Sequence, residues 1–290
     1  MRDLIDSYCK RYNYANEDSE YLLSAYDKIT ASSAAFAVFE SICDQYRQTC
    51  DLDYSEMDRM AKDAGRSVGV HDFTSTLLMY IMLSFTLEER YTERAIDIEI
   101  FDGAMYDITY KVRECKTVKG IVGVFTNWFS GFYKLTRFAL GRLQFEIVPM
   151  KCDFDNGKHR VKADEPVINM HIPSSGVPLT KERYENAFSL AKAFFADKIT
   201  RQDVPFVCSS WLLDPIHESI LPESSNILAF KREFTIISSS VGLGENLWRI
   251  FGTDEKNPQR LPANTTLQRA YRNHLLKEGR VGSAYGILFR

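Results

Sequence analysis

The sequence has no long basic run, and its formal net charge is -3. A nucleic-acid groove needs a concentrated positive face, so that partner is not expected. No apolar run reaches membrane-spanning length. The most apolar stretch, "LLMYIMLSF" from Leu77 to Phe85, is too short for a bilayer and reads as a buried helix. The opening residues, "MRDLIDSYCKRYNY", lack the apolar core of a secretory signal. Cysteines stand at positions 9, 43, 50, 115, 152 and 208, and none forms a CxxC pair. Without a signal, the expectation is reduced, mostly buried thiols in a cytoplasmic protein. No HExxH and no Cys/His ligand spacing is visible, so no metal is expected. No repeat or low-complexity linker divides the chain. What is there is ordinary for a globular protein: 290 residues, 45% apolar and 26% charged. That length allows two domains.

Residues 1 to about 120 read as almost wholly helical. In "SAAFAVFESICDQYRQTC", Phe36, Phe39, Ile42, Cys43 and Tyr46 fall on one stripe. "YSEMDRMAKDAG" predicts a shorter helix stopped by Gly65. His71-Asp72 opens the next helix, and another runs through Ile100, Ala104, Ile108 and Val112.

Near Gly120 the texture changes. The stretch after it is aromatic and glycine-punctuated, with Trp128, Phe129, Phe132 and Tyr133 close together. Then Leu143, Phe145 and Ile147 alternate with Arg142, Gln144 and Glu146, the pattern of a half-buried strand. An Asn-Gly turn signal marks a hairpin in "CDFDNGKHRVKADEP". Strand 167–172, a loop, a helix from about residue 181 and strand 206–211 follow. Thr180 is the expected N-cap of that helix. Asp214-Pro215 and Ser225 start further helices, "FTIISSS" is a strand, and two helices, from Gly244 and ending at Gly279, precede a closing strand. Strands alternating with helices, paired like hairpins at each end, predict a mixed sheet covered by helices. The fold class is therefore α+β, a helical N-terminal domain at 1–140 and a mixed-sheet domain at 141–290.

The loop in "INMHIPSSGVPLTKERYENAF" feeds a helix start from a strand end. Unpaired N–H groups and the positive end of the helix dipole make such a corner an anion site. Ser174, Ser175 and Gly176 could bring N–H groups to a phosphate, and Pro178 removes one donor. The same residues also suit a plain turn.

The fragments "GRLQFE", "HIPSSGVPLT", "SSWLLDP", "LPESSNILAFKREF" and "LPANTTLQRA" occur in this order, followed by a closing glycine-aromatic strand. Together they resemble the GNAT-like C-terminal domain of a bacterial family of N-acyltransferases. The first half resembles that family's helical N-terminal domain. The resemblance implies two central parallel strands, 167–172 and 206–211, that splay to admit an acyl-coenzyme A. Its pyrophosphate would sit on the loop between strand and helix. The usual superfamily loop is Gln/Arg-x-x-Gly-x-Gly/Ala, and this one keeps a single glycine. The implied cofactor contacts are Ile172, Ser174, Ser175, Gly176, Val177, Leu179, Thr180, Ser210 and Asn226.

The implied reaction is direct attack of an amine on a thioester, with acetyl-coenzyme A the expected donor and no metal. It needs proximity and a route for a proton rather than a covalent nucleophile. Glu146, His171 and Ser209 are the catalytic candidates. Asn169 shares the strand face of His171. Arg142, Gln144 and Trp128 are candidates for the acceptor, a small-molecule or peptide amine. Two rival readings are an acyl-coenzyme A sensor without turnover and a scaffold without cofactor.

Overall fold

A computed structural model describes residues 1–290 apart from Cys50, Thr126, Asn127, 243–246 and Gly279, and gives the backbone alone of Glu278. The helix stop expected at Gly279, the helix start at Gly244 and the burial of Cys50 lie outside the described residues. The chain divides into two units, Met1–Phe138 and Ala139–Arg290.

The first unit is helical: α1 (Arg2–Arg11), α2 (Asn16–Thr30), α3 (Ser33–Thr49), α4 (Tyr54–Ser67), α5 (Asp72–Glu93), α6 (Ile98–Lys119) and the single turn α7 (Ser130–Tyr133). The stripe on α3 buries Phe39, Ile42, Cys43 and Tyr46 and half-buries Phe36. The middle of α5 is apolar all round because it is surrounded. It touches α1, α2, α3, α4, α6 and α7, and Leu77, Leu78, Met79, Tyr80 and Ile81 are wholly hidden. His71 caps α5, its Nδ1 accepting from the Phe73 N–H at 3.1 Å. Among the described residues no single helix is long and apolar enough to cross a membrane. α4 and α5 together meet that length and composition, but they bend by 120° at their junction.

Gly65 does not stop α4, which continues to Ser67. It is a contact residue: a Cβ there would lie 1.8 Å from Ser75 Oγ and 2.9 Å from Ser75 Cβ on α5. The chain turns instead at Gly69, whose φ of +73° is left-handed and disfavours any residue with a Cβ. The aromatic cluster after Gly120 belongs to the core of this unit. Phe129, Phe132 and Tyr133 are fully buried. The Tyr133 hydroxyl donates to the Tyr80 carbonyl at 2.6 Å, and the Tyr46 hydroxyl donates to the Tyr133 carbonyl at 2.8 Å. These bonds satisfy polar groups that burial would otherwise penalise.

The rest of the chain runs β1 (Arg137–Leu140), β2 (Leu143–Pro149), β3 (Phe154–Asp155), β4 (Arg160–Val161), β5 (Pro166–His171), α8 (Lys181–Phe194), β6 (Pro205–Ser210), α9 (His217–Ile220), α10 (Asn226–Lys231), β7 (Thr235–Gly242), α11 (Leu247–Phe251), α12 (Thr266–Glu278) and β8 (Val281–Phe289). Six of the strands form one sheet in the order β1-β2-β5-β6-β8-β7. β5 and β6 are parallel, while β2–β5, β6–β8 and β7–β8 are antiparallel. The sheet is therefore mixed, and the fold is α+β.

Strand alternation sends successive side chains to opposite faces. On one face Phe145 and Phe206 meet Phe188 of α8, with ring centroids 6.3 and 4.9 Å from it. On the other, Val167, Val207, Tyr285 and Ile287 form a buried cluster with Met150 and Val161, beneath the β3–β4 hairpin. The hairpin turns where the Asn-Gly signal falls, with Asn156 Oδ1 accepting from the His159 N–H at 2.8 Å. A third cluster joins α11 and α12 through Leu247, Phe251, Tyr271 and Leu275, and Trp211 packs against it. Cys9, Cys43, Cys115 and Cys208 are buried, Cys152 is half-buried, and all five are free thiols. Burial pushes the Cys208 thiol up to about 12, which keeps it protonated and unreactive.

Candidate active site

The site begins where two parallel strands part. β5 and β6 pair only at Ile168 with Phe206 and at Asn169 with Val207. Both strands go on, to His171 and Ser210, without further pairing between them. β6 does not fray: it pairs with β8 along its whole length from Pro205 to Ser210. The parting is thus a property of the β5–β6 seam. Of the aromatic trio of Phe145, Phe188 and Phe206, Phe206 belongs to the paired half, and Phe145 lies beside Met170, just past it.

On the opposite face, above the valine cluster, the side chains turn polar. Glu146 faces Asn169 across β2 and β5, and Gln144 faces His171. His171 Nε2 lies 2.6 Å from Glu146 Oε1. Asn169 Nδ2 donates to the same oxygen at 3.1 Å, and is also 3.1 Å from His171 Nε2. An Nε2 that carries a proton toward Glu146 cannot also accept from Asn169. The Asn169 amide therefore serves Glu146 and fixes the carboxylate that orients the imidazole. Both partners are mostly shielded, with side chains 16% exposed for His171 and 15% for Glu146. Shielding from water strengthens such a bond. A carboxylate held on an imidazole is the arrangement of a general base and its orienting group.

Ser209 follows Val207 on this same face and is exposed at the open end of β6, opposite Tyr285 of β8. The Tyr285 hydroxyl donates to Met150 Sδ at 3.4 Å, and burial raises its pKa. Sequence reading did not single out Tyr285. Its signal was there, an aromatic residue in the closing strand, but strand partners are not visible in one chain. Asn169 was noted only as sharing a face with His171, the two-residue spacing of a strand being its one signal.

The loop from Ile172 to Thr180 leaves β5 and enters α8. Ser174, Gly176 and Val177 are exposed, while Ile172, Ser175, Leu179 and Thr180 are half-buried. Gly176 has a left-handed φ of +76°, and a Cβ there would have nothing within 4 Å. Ser175 Oγ accepts from the Val177 N–H at 3.2 Å. Thr180 occupies the N-cap position of α8 with extended backbone, but its side chain makes no capping bond, a correction to the expected cap. The first N–H groups of α8, which have no partner within the helix, therefore make no bond to the Thr180 side chain.

The other expected residues are placed as follows. Arg142 turns to the loop, with Nε donating to the Val177 carbonyl at 2.9 Å and Nη1 to the Pro173 carbonyl at 3.0 Å. Gln144 is buried, 2% exposed, so it is not a solvated strand residue. Ser210 Oγ accepts from the Leu212 N–H at 3.1 Å and caps a short 3-10 turn at Trp211–Leu213. Asn226 is the exposed first residue of α10, and Ser225 before it does the capping. Trp128 lies in the helical unit, where the Arg137 guanidinium stacks on its ring at 4.2 Å and donates to its carbonyl at 2.9 Å. Asp214 does more than start a helix: its Oδ1 accepts from the Ile216 N–H at 3.1 Å and its Oδ2 from the Gly282 N–H at 2.6 Å. Among the described residues no group of three or more His, Cys, Asp or Glu side chains could hold a metal ion.

Two family models match the sequence: an N-acyltransferase N-terminal domain over residues 3–135 and a GNAT-like C-terminal domain over residues 137–288. No curated protein matches it. Among solved structures it resembles an acyltransferase in complex with decanoyl-CoA and teicoplanin, at 22% identity and a TM-score of 0.73, covering 97% of this chain and 86% of that one. It likewise resembles an acyltransferase in complex with CoA and 10C-teicoplanin, at 22% identity and a TM-score of 0.75, covering 97% and 85%. A third is an acyltransferase mutant in complex with octanoyl-CoA, at 22% identity and a TM-score of 0.74, again covering 97% and 85%. At that identity the likeness is one of fold.

Proposed function

The chain belongs to the N-acyltransferase family whose members join a helical N-terminal domain to a GNAT-like C-terminal domain, and from that premise we propose that it moves an acyl group from a coenzyme A thioester to an amine. The observation that carries this reading is the seam between β5 and β6, paired at two positions and open beyond them. The open part offers main-chain groups to the amide-bearing pantetheine arm. The loop 172–180 and the start of α8 suit the diphosphate, since both supply N–H donors and a positive dipole end.

The amine attacks the thioester carbon, forming a C–N bond and breaking the C–S bond. It must lose a proton, and in this reading the Glu146–His171 pair takes it, a role the 2.6 Å contact between them supports. Asn169 holds Glu146 for that role. Ser209, exposed where the strands part, is assigned in this reading as the donor to the departing thiolate. No covalent enzyme intermediate is required, so most of the acceleration comes from proximity and a positioned base.

Acetyl is the group expected from the sequence. The similar structures hold octanoyl and decanoyl thioesters, which supports testing longer chains beside it. The acceptor is read as a small-molecule or peptide amine, and the teicoplanin bound by a similar structure supports that class. The direct test is thiol release from acetyl-, octanoyl- and decanoyl-CoA in the presence of an amine library, alongside a thermal shift with each thioester. Thiol release with one thioester and one amine supports the proposal. Stabilisation by thioesters with no release under any pairing leaves a sensor. No stabilisation at all removes the acyl-CoA reading.

A further inference from the structure

We infer that Arg142 is the positioning residue of the loop 172–180, holding it in the shape that grips a coenzyme A diphosphate. The inference rests on the acyl-CoA reading above. It starts at Gly141, whose φ is +66° and whose Cβ, were there one, would lie 3.2 Å from Leu190 Cδ1 and 3.5 Å from Ala187 Cα of α8. The β1–β2 turn therefore lies directly on α8. Arg142, next in the chain, emerges beside the loop that feeds the same helix.

Its guanidinium makes two bonds to that loop, to the carbonyls of Pro173 and Val177. These carbonyls bracket Ser174, Ser175 and Gly176, the three residues at the loop's tip. In a trans peptide the C=O and the following N–H point opposite ways, and the chain contains no cis peptide among the described residues. Drawing the Pro173 carbonyl toward Arg142 thus turns the Ser174 N–H away from it. The Val177 carbonyl precedes Pro178, which has no N–H, so the second bond serves only to fasten the loop.

Within the loop, Ser175 Oγ also accepts from the Val177 N–H at 3.2 Å, and Arg183 Nη1 donates to the Pro178 carbonyl at 3.3 Å. Gly176 meets nothing where a Cβ would be, and Val177 is 42% exposed. An unfastened loop of this kind must be ordered when the ligand arrives, and that ordering subtracts from affinity. A planar guanidinium spans two carbonyls at once, whereas an ammonium is a single point charge. Arg142 accordingly acts on the ligand through the backbone it holds.

The test is isothermal titration of the full chain with coenzyme A and with pantetheine, which lacks the diphosphate. Hydrogen exchange over residues 173–180 is followed in the ligand-free protein. Arg142→Ala is expected to weaken coenzyme A about tenfold, to leave pantetheine within about twofold of wild type, and to speed exchange in the loop alone. Arg142→Lys is expected to restore less than half of the lost free energy, because it cannot bridge both carbonyls. Should Arg142→Ala fail to fold, Arg142→Lys and Arg142→Gln carry the same comparison. Unchanged coenzyme A affinity, equal losses for both ligands, or full restoration by lysine overturns the inference while leaving the acyl-CoA reading standing. A wild-type protein that binds neither ligand overturns both.

Discussion

Replacing Phe188 with alanine tests the aromatic core between α8 and the sheet. Phe188 is 1% exposed on α8. Its ring lies 4.9 Å from Phe206, 6.3 Å from Phe145 and 6.0 Å from Tyr184, with the Arg290 guanidinium 5.2 Å above it. Phe206 is also one half of the Ile168–Phe206 pair, the first rung of the short β5–β6 seam. Truncation loses the transfer free energy of a buried ring and leaves a cavity walled by three aromatics, a cost of about 4 kcal/mol. The edge-to-face and cation-π contacts account for about 1 kcal/mol of that. For a unit of this size the loss lowers the melting temperature by about 8 to 16 °C. Urea denaturation followed by fluorescence reads it, since Trp211 and Trp248 both report from the unit containing Phe188. Phe188→Leu, which keeps most of the volume, is expected to cost about 1.5 kcal/mol or less. An alanine variant within about 1 kcal/mol of wild type would refute the reading of this trio as a tightly packed core.

Glu146→Gln should slow thiol release by about 10²- to 10³-fold and leave coenzyme A binding unchanged; a fully active variant would place the base elsewhere. Gly65→Ala should destabilise the helical unit by about 2 kcal/mol through its clash with Ser75, and Gly69→Ala by about 1 kcal/mol through backbone strain alone. Equal costs in chemical denaturation would show that Gly65 is not the contact described. Burial lowers the pKa of His217 below its ordinary 6.5, so the unfolded chain takes up the proton first as pH falls. Its contribution to stability is full above pH 6.5 and is lost below that value, by up to about 1.4 kcal/mol per pH unit, until the folded-state value is reached. Urea melts between pH 7.5 and 5.5 should show a shallower slope for His217→Gln than for wild type; parallel slopes would sink this reading.

The alternation of Leu143, Phe145 and Ile147 with Gln144 and Glu146 carried the face of β2 correctly, because strand periodicity is local. It could not say that Glu146 meets Asn169 and His171. That depends on the β2–β5 register, fixed across some 25 positions of chain by the hairpin between them. Arg142 shows the same limit. From its place in the alternation it read as a strand residue near the acceptor, whereas the left-handed Gly141 before it turns it to the loop. Gly65 misled for a different reason. Glycine near a helix end most often stops the helix, and only the proximity of Ser75 reveals that it makes room. Thr180 was legible as a position but not as a bond. The fold class and the helical half were the most readable parts, since both follow from hydrophobic period over long stretches.

The last strand is not at the rim of the sheet: β8 lies between β6 and β7, and β7 has no other neighbour in it. During synthesis Thr235–Gly242 emerges well before Val281–Phe289, and until the later segment arrives the earlier one has no template to join. The two must therefore add to β6 as a late, coupled event, making vectorial assembly of this half wait on translation through residue 289.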